Sequence, residues 1–171
     1  MPGRFNILAT TLRGQEPLGV ATLTSILSEL NDPDPKVEIT DVHGVIAAQT
    51  SLDPFEVVER IREMAVKEPW KVSGLMRVIP IERVVETRIE RIAEAVEALK
   101  ERIPPEATYK VVVEKRHTQL SSREIIEAVA SRIERKVRLE NPDWIVLVEV
   151  LGGLTGISVV RPDQILSLVK V

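Results

Sequence analysis

The sequence contains no cysteine, which excludes disulfides, thiolate metal sites and a cysteine nucleophile. Aromatic residues are almost absent: Phe5, Phe55, Trp70, Tyr109 and Trp144 are all there are. A nucleic-acid site built on rows of stacked bases has too few platforms to work with. Two histidines, His43 and His117, do not make a histidine-rich metal site. No apolar run reaches membrane-spanning length, and the N-terminus lacks a charged-then-apolar leader pattern. The expectation is therefore a cytoplasmic protein with no membrane partner. There is no G-x-G-x-x-G, no G-x-x-x-x-G-K-[ST] and no G-x-S-x-G. Gly152-Gly153-Leu154-Thr155-Gly156 is glycine-rich, but it lies between two strand-like runs and reads as a hairpin turn. No nucleophile, base and orienting group occur in a recognisable set. The reading is a non-enzyme, with no catalytic residue, no cofactor and no metal.

What is present is a globular composition. Apolar residues make up 44% of the 171, enough to bury a core, and the charged residues are interspersed in sign. The net charge of −3 hides an asymmetry. Residues 1–70 hold six lysines and arginines against eleven acids, whereas residues 110–138 hold eight against four. Those eight are Lys110, Lys115, Arg116, Arg123, Arg132, Arg135, Lys136 and Arg138. A local basic excess in an acidic chain has two readings: a contact for an anionic partner, or a solvated helix face with pairs such as Arg123 and Glu127.

The hydrophobic pattern alternates between strand and helix periods, giving an α/β (α+β) fold class. Phe5–Thr11 suits a buried strand. Pro17 opens a helix with Leu18, Ala21, Leu23, Ile26, Leu27 and Leu30 on one side, and Pro33 and Pro35 stop it. Val37–Val42 and Val45–Thr50 read as strands around a turn at His43-Gly44. Asp53 caps a helix that Pro54 opens and Pro69-Trp70 ends, and Leu75–Ile81 follows as a strand. This β-α-β-β-α-β order is that of a ferredoxin-like unit over residues 1–82. A second α/β unit is expected over residues 83–171. It opens with Thr87-Arg88-Ile89-Glu90 as a capping box, followed by a strand at 109–117 and a second capping box at Ser121-Ser122-Arg123-Glu124. A helix over 122–136, an Asn141-Pro142-Asp143 turn, and strands at 144–151 and 154–160 complete it. Gln164–Val171 fits a helical turn or an edge strand.

The segment 110–124 carries the most chemistry. A strand ending in Lys115-Arg116-His117-Thr118 leads through Gln119-Leu120 into a helix start at Ser121. Helix N-termini expose unpaired N–H groups and favour anions. Arg123 in the first turn opposes the helix dipole, which is expected at an anion site; Glu124 and Glu127 offer the alternative of local neutralisation. Ser121 and Ser122 are explained by capping. His117 either protonates beside a phosphate or serves as a hydrogen-bonded loop residue.

The runs Val113–Val129 and Val137–Val150 resemble a THUMP domain. The basic strand end, the Ser-Ser-Arg-Glu-Ile helix start and the Leu-x-Asn-Pro-Asp turn before an apolar strand carry the likeness, which covers about residues 60–165. Phe55-Glu-Val-Val-Glu-Arg and Ile79-Pro-Ile-Glu-Arg-Val-Val are most similar to the stand-alone group like the tRNA acetylation adaptor. The resemblance implies tRNA binding at the acceptor stem or 3′ end. It also implies presentation of the tRNA to a separate cytidine acetyltransferase that forms N4-acetylcytidine, because no span of the sequence is left for a fused enzyme module. The implied RNA-facing residues are Lys115, Arg116, His117, Thr118, Ser121, Ser122 and Arg123, with Arg132, Arg135 and Lys136 extending the contact along the helix. Alanine at Lys115, Arg116 and Arg123 is then expected to weaken tRNA binding and leave the melt unchanged. The competing reading is a ferredoxin-like small-ligand or regulatory dimerisation module that binds no RNA.

Overall fold

A computed structural model describes residues 4–168. In chain order the regular elements are β1 (Ile7–Thr10), α1 (Glu16–Glu29), β2 (Lys36–Ile39), β3 (Val45–Gln49), α2 (Pro54–Lys67), β4 (Arg77–Pro80), β5 (Arg83–Glu86) and α3 (Ile89–Leu99). Then come β6 (Thr108–Arg116), α4 (Ser122–Ala130), β7 (Lys136–Val137), β8 (Trp144–Leu151), β9 (Leu154–Val160) and β10 (Leu166–Ser167). The α+β class is as expected. Two compact units form, one from residues up to Ile81 together with the segment from Asp163, the other from Glu82 to Pro162. Among the described residues, no helix is long and apolar enough to cross a membrane.

The first unit has the expected β-α-β-β-α-β order, in one antiparallel sheet ordered β10-β4-β1-β3-β2. The segment after residue 163 returns as an edge strand beside β4, with Leu166 opposite Val78; residues 169–171 lie outside the described part. An Arg62 guanidinium donates to the Asp163 carbonyl and pins this return. Helix α1 buries Gly19, Leu23, Ile26 and Leu27, while Leu18 stays 45% exposed. The expected stripe was therefore slightly misplaced. Gly19 faces the sheet: a Cβ there would lie 2.6 Å from the Thr11 methyl. Asp53 caps α2 as expected, accepting from the Phe55 N–H at 2.9 Å.

Two polar knots set the loops of this unit. Gly44, at φ +77°, donates its N–H to the buried Glu16 carboxylate (2.8 Å), and its carbonyl accepts from Thr11 N–H (2.8 Å). The Gly44 N–H is the main reason that the Glu16 carboxyl is held below its ordinary range. Asp32, just past α1, is only 5% exposed. Its carboxylate accepts from the Thr50 and Ser51 hydroxyls and from Asp34 N–H, joining the loop after α1 to the loop after β3.

The second unit has a sheet ordered β5-β9-β8-β6-β7. β6 runs parallel to β8, and β8 and β9 form the hairpin expected at Gly152-Gly153. Helices α3 and α4 share one core with the sheet, built on Ile92, Val96, Tyr109, Ile125, Val129 and Val148. Central β8 is buried along nearly all of its length. Asp143 holds the start of β6 beside that of β8, accepting from Thr108 N–H (2.9 Å) and hydroxyl (3.1 Å). These bonds, helped by Arg138, keep the Asp143 carboxyl below its usual range. Glu82 accepts from Val159 N–H (2.9 Å), the Ser158 hydroxyl (3.2 Å) and both terminal nitrogens of Arg102, which fixes the entry into this unit.

Three expectations for this unit need correction. Thr87 does not cap α3: the cap position is Arg88, and the Thr87 hydroxyl pairs instead with that of buried Thr155 at 2.8 Å. The β5–β9 ladder draws Thr87 towards the sheet, since Thr87 N–H also reaches Gly153 C=O at 3.0 Å. The strand expected at 109–117 ends at Arg116, because His117 turns to φ 56°. The helix expected over 122–136 ends at Ala130. The Ser131 hydroxyl takes the Ala128 carbonyl, and Arg132 and Ile133 make tighter i→i−3 bonds to Val129 and Ala130. That turn still delivers Ile133 to the core, which is why the apolar period continues past the helix end.

Burial pushes the Asp32 carboxyl up, but its hydrogen bonds outweigh burial and leave it below the ordinary value. A carboxyl lowered on folding stabilises above its unfolded pKa, near ~3.9, and that stability is lost as pH falls through the folded value. Asp32→Asn should therefore be less stable than wild type at pH 7. Between pH 5 and pH 3 it should lose less stability than wild type, as read by urea unfolding. Gly44→Ala combines the wrong φ with a Cβ 2.9 Å from the Thr11 carbonyl oxygen, and should cost about 2 kcal/mol in the same assay.

Candidate nucleic-acid interface

β6 lies next to β8 in the sheet, and its last residue is tied down twice. The Arg116 carbonyl accepts from Gly152 N–H at 2.9 Å, which brings the β8–β9 turn against the strand end. The Arg116 guanidinium reaches the opposite way, 3.0 Å from Glu149 Oε1. His117 then takes the left-handed conformation and the chain reverses. The Thr118 hydroxyl accepts from Leu120 N–H at 3.2 Å, forming the turn that leads into α4. Ser121 closes the expected capping box: its hydroxyl accepts from Glu124 N–H (3.0 Å), and Glu124 accepts from Ser121 N–H (3.4 Å). Ser121 C=O takes Ile125 N–H, so the N–H groups of Ser122 and Arg123 have no intrahelical partner.

An open hollow of about 550 Å³ lies at this end, lined by Thr87, His117, Thr118, Gln119, Gly152 and Gly153. Its walls present the Thr87 and Thr118 hydroxyls, the His117 imidazole, the Gln119 amide and the backbone of the glycine turn. Sequence reading placed His117 and Thr118 here but missed Thr87, Gln119 and the two glycines. The signal for the glycines was present, since a hairpin turn after the strand parallel to β6 must lie beside the β6 tip. Thr87 arrives only through the β5–β9 pairing.

The other expected residues separate into two groups. Lys115 sits at the tip, with Nζ 3.3 Å from the Leu120 carbonyl, and Ser121, Ser122 and Arg123 open α4. Arg123 is 87% exposed and 2.9 Å from Glu127, the local pairing that was the alternative to an anion site. Arg132, Arg135 and Lys136 lie beyond the far end of α4, whose nine residues span about 13 Å. Arg132 pairs with Glu97 (2.6 Å), and Arg135 donates to the Ile103 carbonyl (2.9 Å). They brace the end of α4 against α3 and the turn that follows it. Lys136 is exposed on edge strand β7. Among the described residues, no group of three or more His, Asp or Glu is arranged to hold a metal.

Arg116 changes role most. Its side chain is 17% exposed and faces a Glu149 that is fully buried. Removing the cation takes the Arg116 guanidinium away from a buried carboxylate, a strongly destabilising change. The expectation that alanine at Arg116 spares the melt is thereby corrected. Arg116→Ala should lose about 3 kcal/mol in urea unfolding, whereas Arg123→Ala, breaking an exposed pair, should change stability by less than about 0.5 kcal/mol. Equal effects would contradict this division.

Residues 86–160 match the model of the THUMP domain. No curated protein sequence matches the chain. Among solved structures, PH1313 from Pyrococcus horikoshii Ot3 is similar over 92% of this chain and 55% of its own, with 19% identity and a TM-score of 0.70. TrmN from Thermus thermophilus is similar over 91% of this chain and 45% of its own, with 18% identity and a TM-score of 0.61. A 4-thiouridine synthetase, solved as an RNA complex with bound ATP, shares 16% identity over 92% of this chain and 42% of its own, with a TM-score of 0.51. These likenesses concern the fold, and the chain spans about half the length of the first two structures. Residues 86–160 of this chain are a THUMP domain, and the β6 tip, the α4 start and the hollow all lie within it.

Proposed function

We propose that this chain is a tRNA-binding subunit of a tRNA-modification system. In this reading the THUMP domain holds the 3′ end of the acceptor stem in the hollow beside the β6 tip. The observation that carries it is the coincidence, inside the THUMP match, of an open polar hollow with a strand end, a glycine turn and a capped helix start. Each supplies donors for phosphate and ribose oxygens: backbone N–H groups at the helix start, the Gln119 amide, the His117 imidazole and the Lys115 ammonium. With so few aromatics, binding relies on backbone and shape more than on stacked bases. The 4-thiouridine synthetase was solved with RNA, which supports an RNA ligand for this fold.

The chemistry falls to another polypeptide in this account. The sequence has no nucleotide-binding loop and no nucleophile–base set. The N-terminal ferredoxin-like unit and the THUMP domain together act as an adaptor that presents tRNA to a cytidine acetyltransferase forming N4-acetylcytidine. The adaptor role and the enzyme's identity rest on the sequence resemblance.

Filter binding with tRNA at two salt concentrations tests the ligand. Affinity should fall steeply with salt. It should also fall about 10-fold when the 3′ single-stranded terminus is removed, or when Lys115, His117 and Thr118 are replaced together by alanine, equivalent to about 1.4 kcal/mol. Equal affinity for intact and trimmed tRNA contradicts the assignment of the hollow. Nucleoside analysis tests the adaptor role: N4-acetylcytidine should form only when chain, acetyltransferase and acetyl donor are combined. A modified nucleoside produced by the chain alone would contradict a non-catalytic role.

A further inference from the structure

The eight cations between residues 110 and 138 are not equivalent once folded. Arg116, Arg123 and Arg132 face the carboxylates of Glu149, Glu127 and Glu97. Arg135 donates to the carbonyls of Ile103 and Glu134, and Lys115 to that of Leu120. Among the described residues, Lys110, Lys136 and Arg138 have no carboxylate at salt-bridge distance. The acids nearest to them in sequence are exposed: Glu106 and Glu114 for Lys110, with Glu114 farther along the same face of β6, Glu134 for Lys136 and Glu140 for Arg138; Asp143, whose field reaches Arg138, is tied to Thr108.

The sheet register gathers these three on one face. Tyr109, Val111 and Val113 point into the core under α3 and α4, so Lys110 points to the other side of β6. β7 pairs in parallel with β6, Thr108 opposite Lys136 and Tyr109 opposite Val137, and Arg138 N–H continues the pairing to Tyr109 C=O at 2.9 Å. Lys136 and Arg138 therefore share the Lys110 face. Neighbouring strands are about 4.8 Å apart and alternate residues about 6.7 Å, so the three backbone positions fall within roughly 8 Å of one another. Lys136 and Arg138 are exposed and Lys110 partly so. From Lys110 to the β6 tip at Arg116 is six residues, about 20 Å of strand.

We infer that this β6–β7 edge is a second nucleic-acid contact, separate from the hollow, and that it grips the phosphate backbone of a double-stranded RNA stem. The inference rests on the reading of the hollow as the seat of a 3′ end. A distance of about 20 Å along the strand is several nucleotides inward from that end, which in an acceptor stem reaches the A-form duplex. Three clustered cations without acid partners, held at separate positions on two strands of an exposed edge, can each meet a phosphate oxygen of one RNA strand passing over that edge. They carry no stacking platform and no base-reading amide, so the contact is indifferent to sequence. β6 acts as a spacer that fixes the distance between the duplex grip and the terminus.

The test uses the full chain, wild type and K110Q/K136Q/R138Q, with tRNA and with a blunt RNA duplex, across a salt series. The triple variant should lower the slope of log affinity against log salt by about 2–3, one for each lost phosphate contact. It should bind the blunt duplex at least about 10-fold more weakly at low salt, and still discriminate intact from trimmed tRNA. If the triple variant melts early, Lys136→Glu alone, on an exposed edge, should reduce the slope by about 1. An unchanged slope in a chain that binds tRNA overturns this inference and leaves the hollow standing. A wild-type chain that binds neither RNA overturns both. Tighter binding of a polyglutamate peptide than of the duplex at matched charge and salt, lost in the triple variant, would make an acidic protein surface the partner and also overturn it.

Discussion

A carboxylate placed at Glu149, fully buried in the central strand of the second sheet, must be met by a cation. Arg116 provides it, 33 residues earlier in the sequence and at the last position of the adjacent parallel strand. This one pair decides much of the rest. It fixes where β6 ends, and Gly152 N–H on the Arg116 carbonyl brings the hairpin turn to the same point. The reversal at His117 and the glycine turn then line an open hollow, and the capped start of α4 follows three residues after Thr118. The same pair removes Arg116 from the set of cations available to a ligand. A residue that reads in sequence as part of a binding motif is, in the fold, what positions that motif.

The pattern extends to the whole basic segment. The composition of residues 110–138 leaves two readings open, a contact for an anionic partner or a solvated face with local pairs. The fold consumes Arg132 and Arg135 in bracing the far end of α4 and pairs Arg123 locally with Glu127. What remains for an anionic partner is a polar hollow at one end of β6 and a small cluster of lysine and arginine at the other. In the proposed reading, electrostatic attraction and terminal recognition are spatially divided, and the length of β6 sets their separation. Such a division lets salt-sensitive backbone contacts supply affinity while a largely polar end recognises the terminus.

What the sequence revealed follows the range of the interactions involved. The Ser121 capping box, the Asp53 cap and the glycine hairpin depend on residues a few positions apart, and all three are as expected. Thr87 has the same local signature as Ser121, yet a hydroxyl 68 positions away claims it. The apolar period around Ile133 continues because a tighter turn delivers that side chain to the same core, so periodicity overran the end of α4. Gly19 replaced Leu18 as the packed position on α1 because the helix approaches Thr11 too closely for a side chain. Within the site, the helix start and strand tip were legible. The ion pairs that disarm Arg116 and Arg132 span 33 and 35 residues, and no local pattern announces them.

The central claim is that the strand-tip hollow of the THUMP domain is where tRNA is held. Hydrogen–deuterium exchange of the full chain, with and without saturating tRNA, tests it directly. The account predicts slowed exchange at the β6 tip, the 117–123 segment and the 152–153 turn. Unchanged exchange across those three segments in a complex that has demonstrably formed would contradict it.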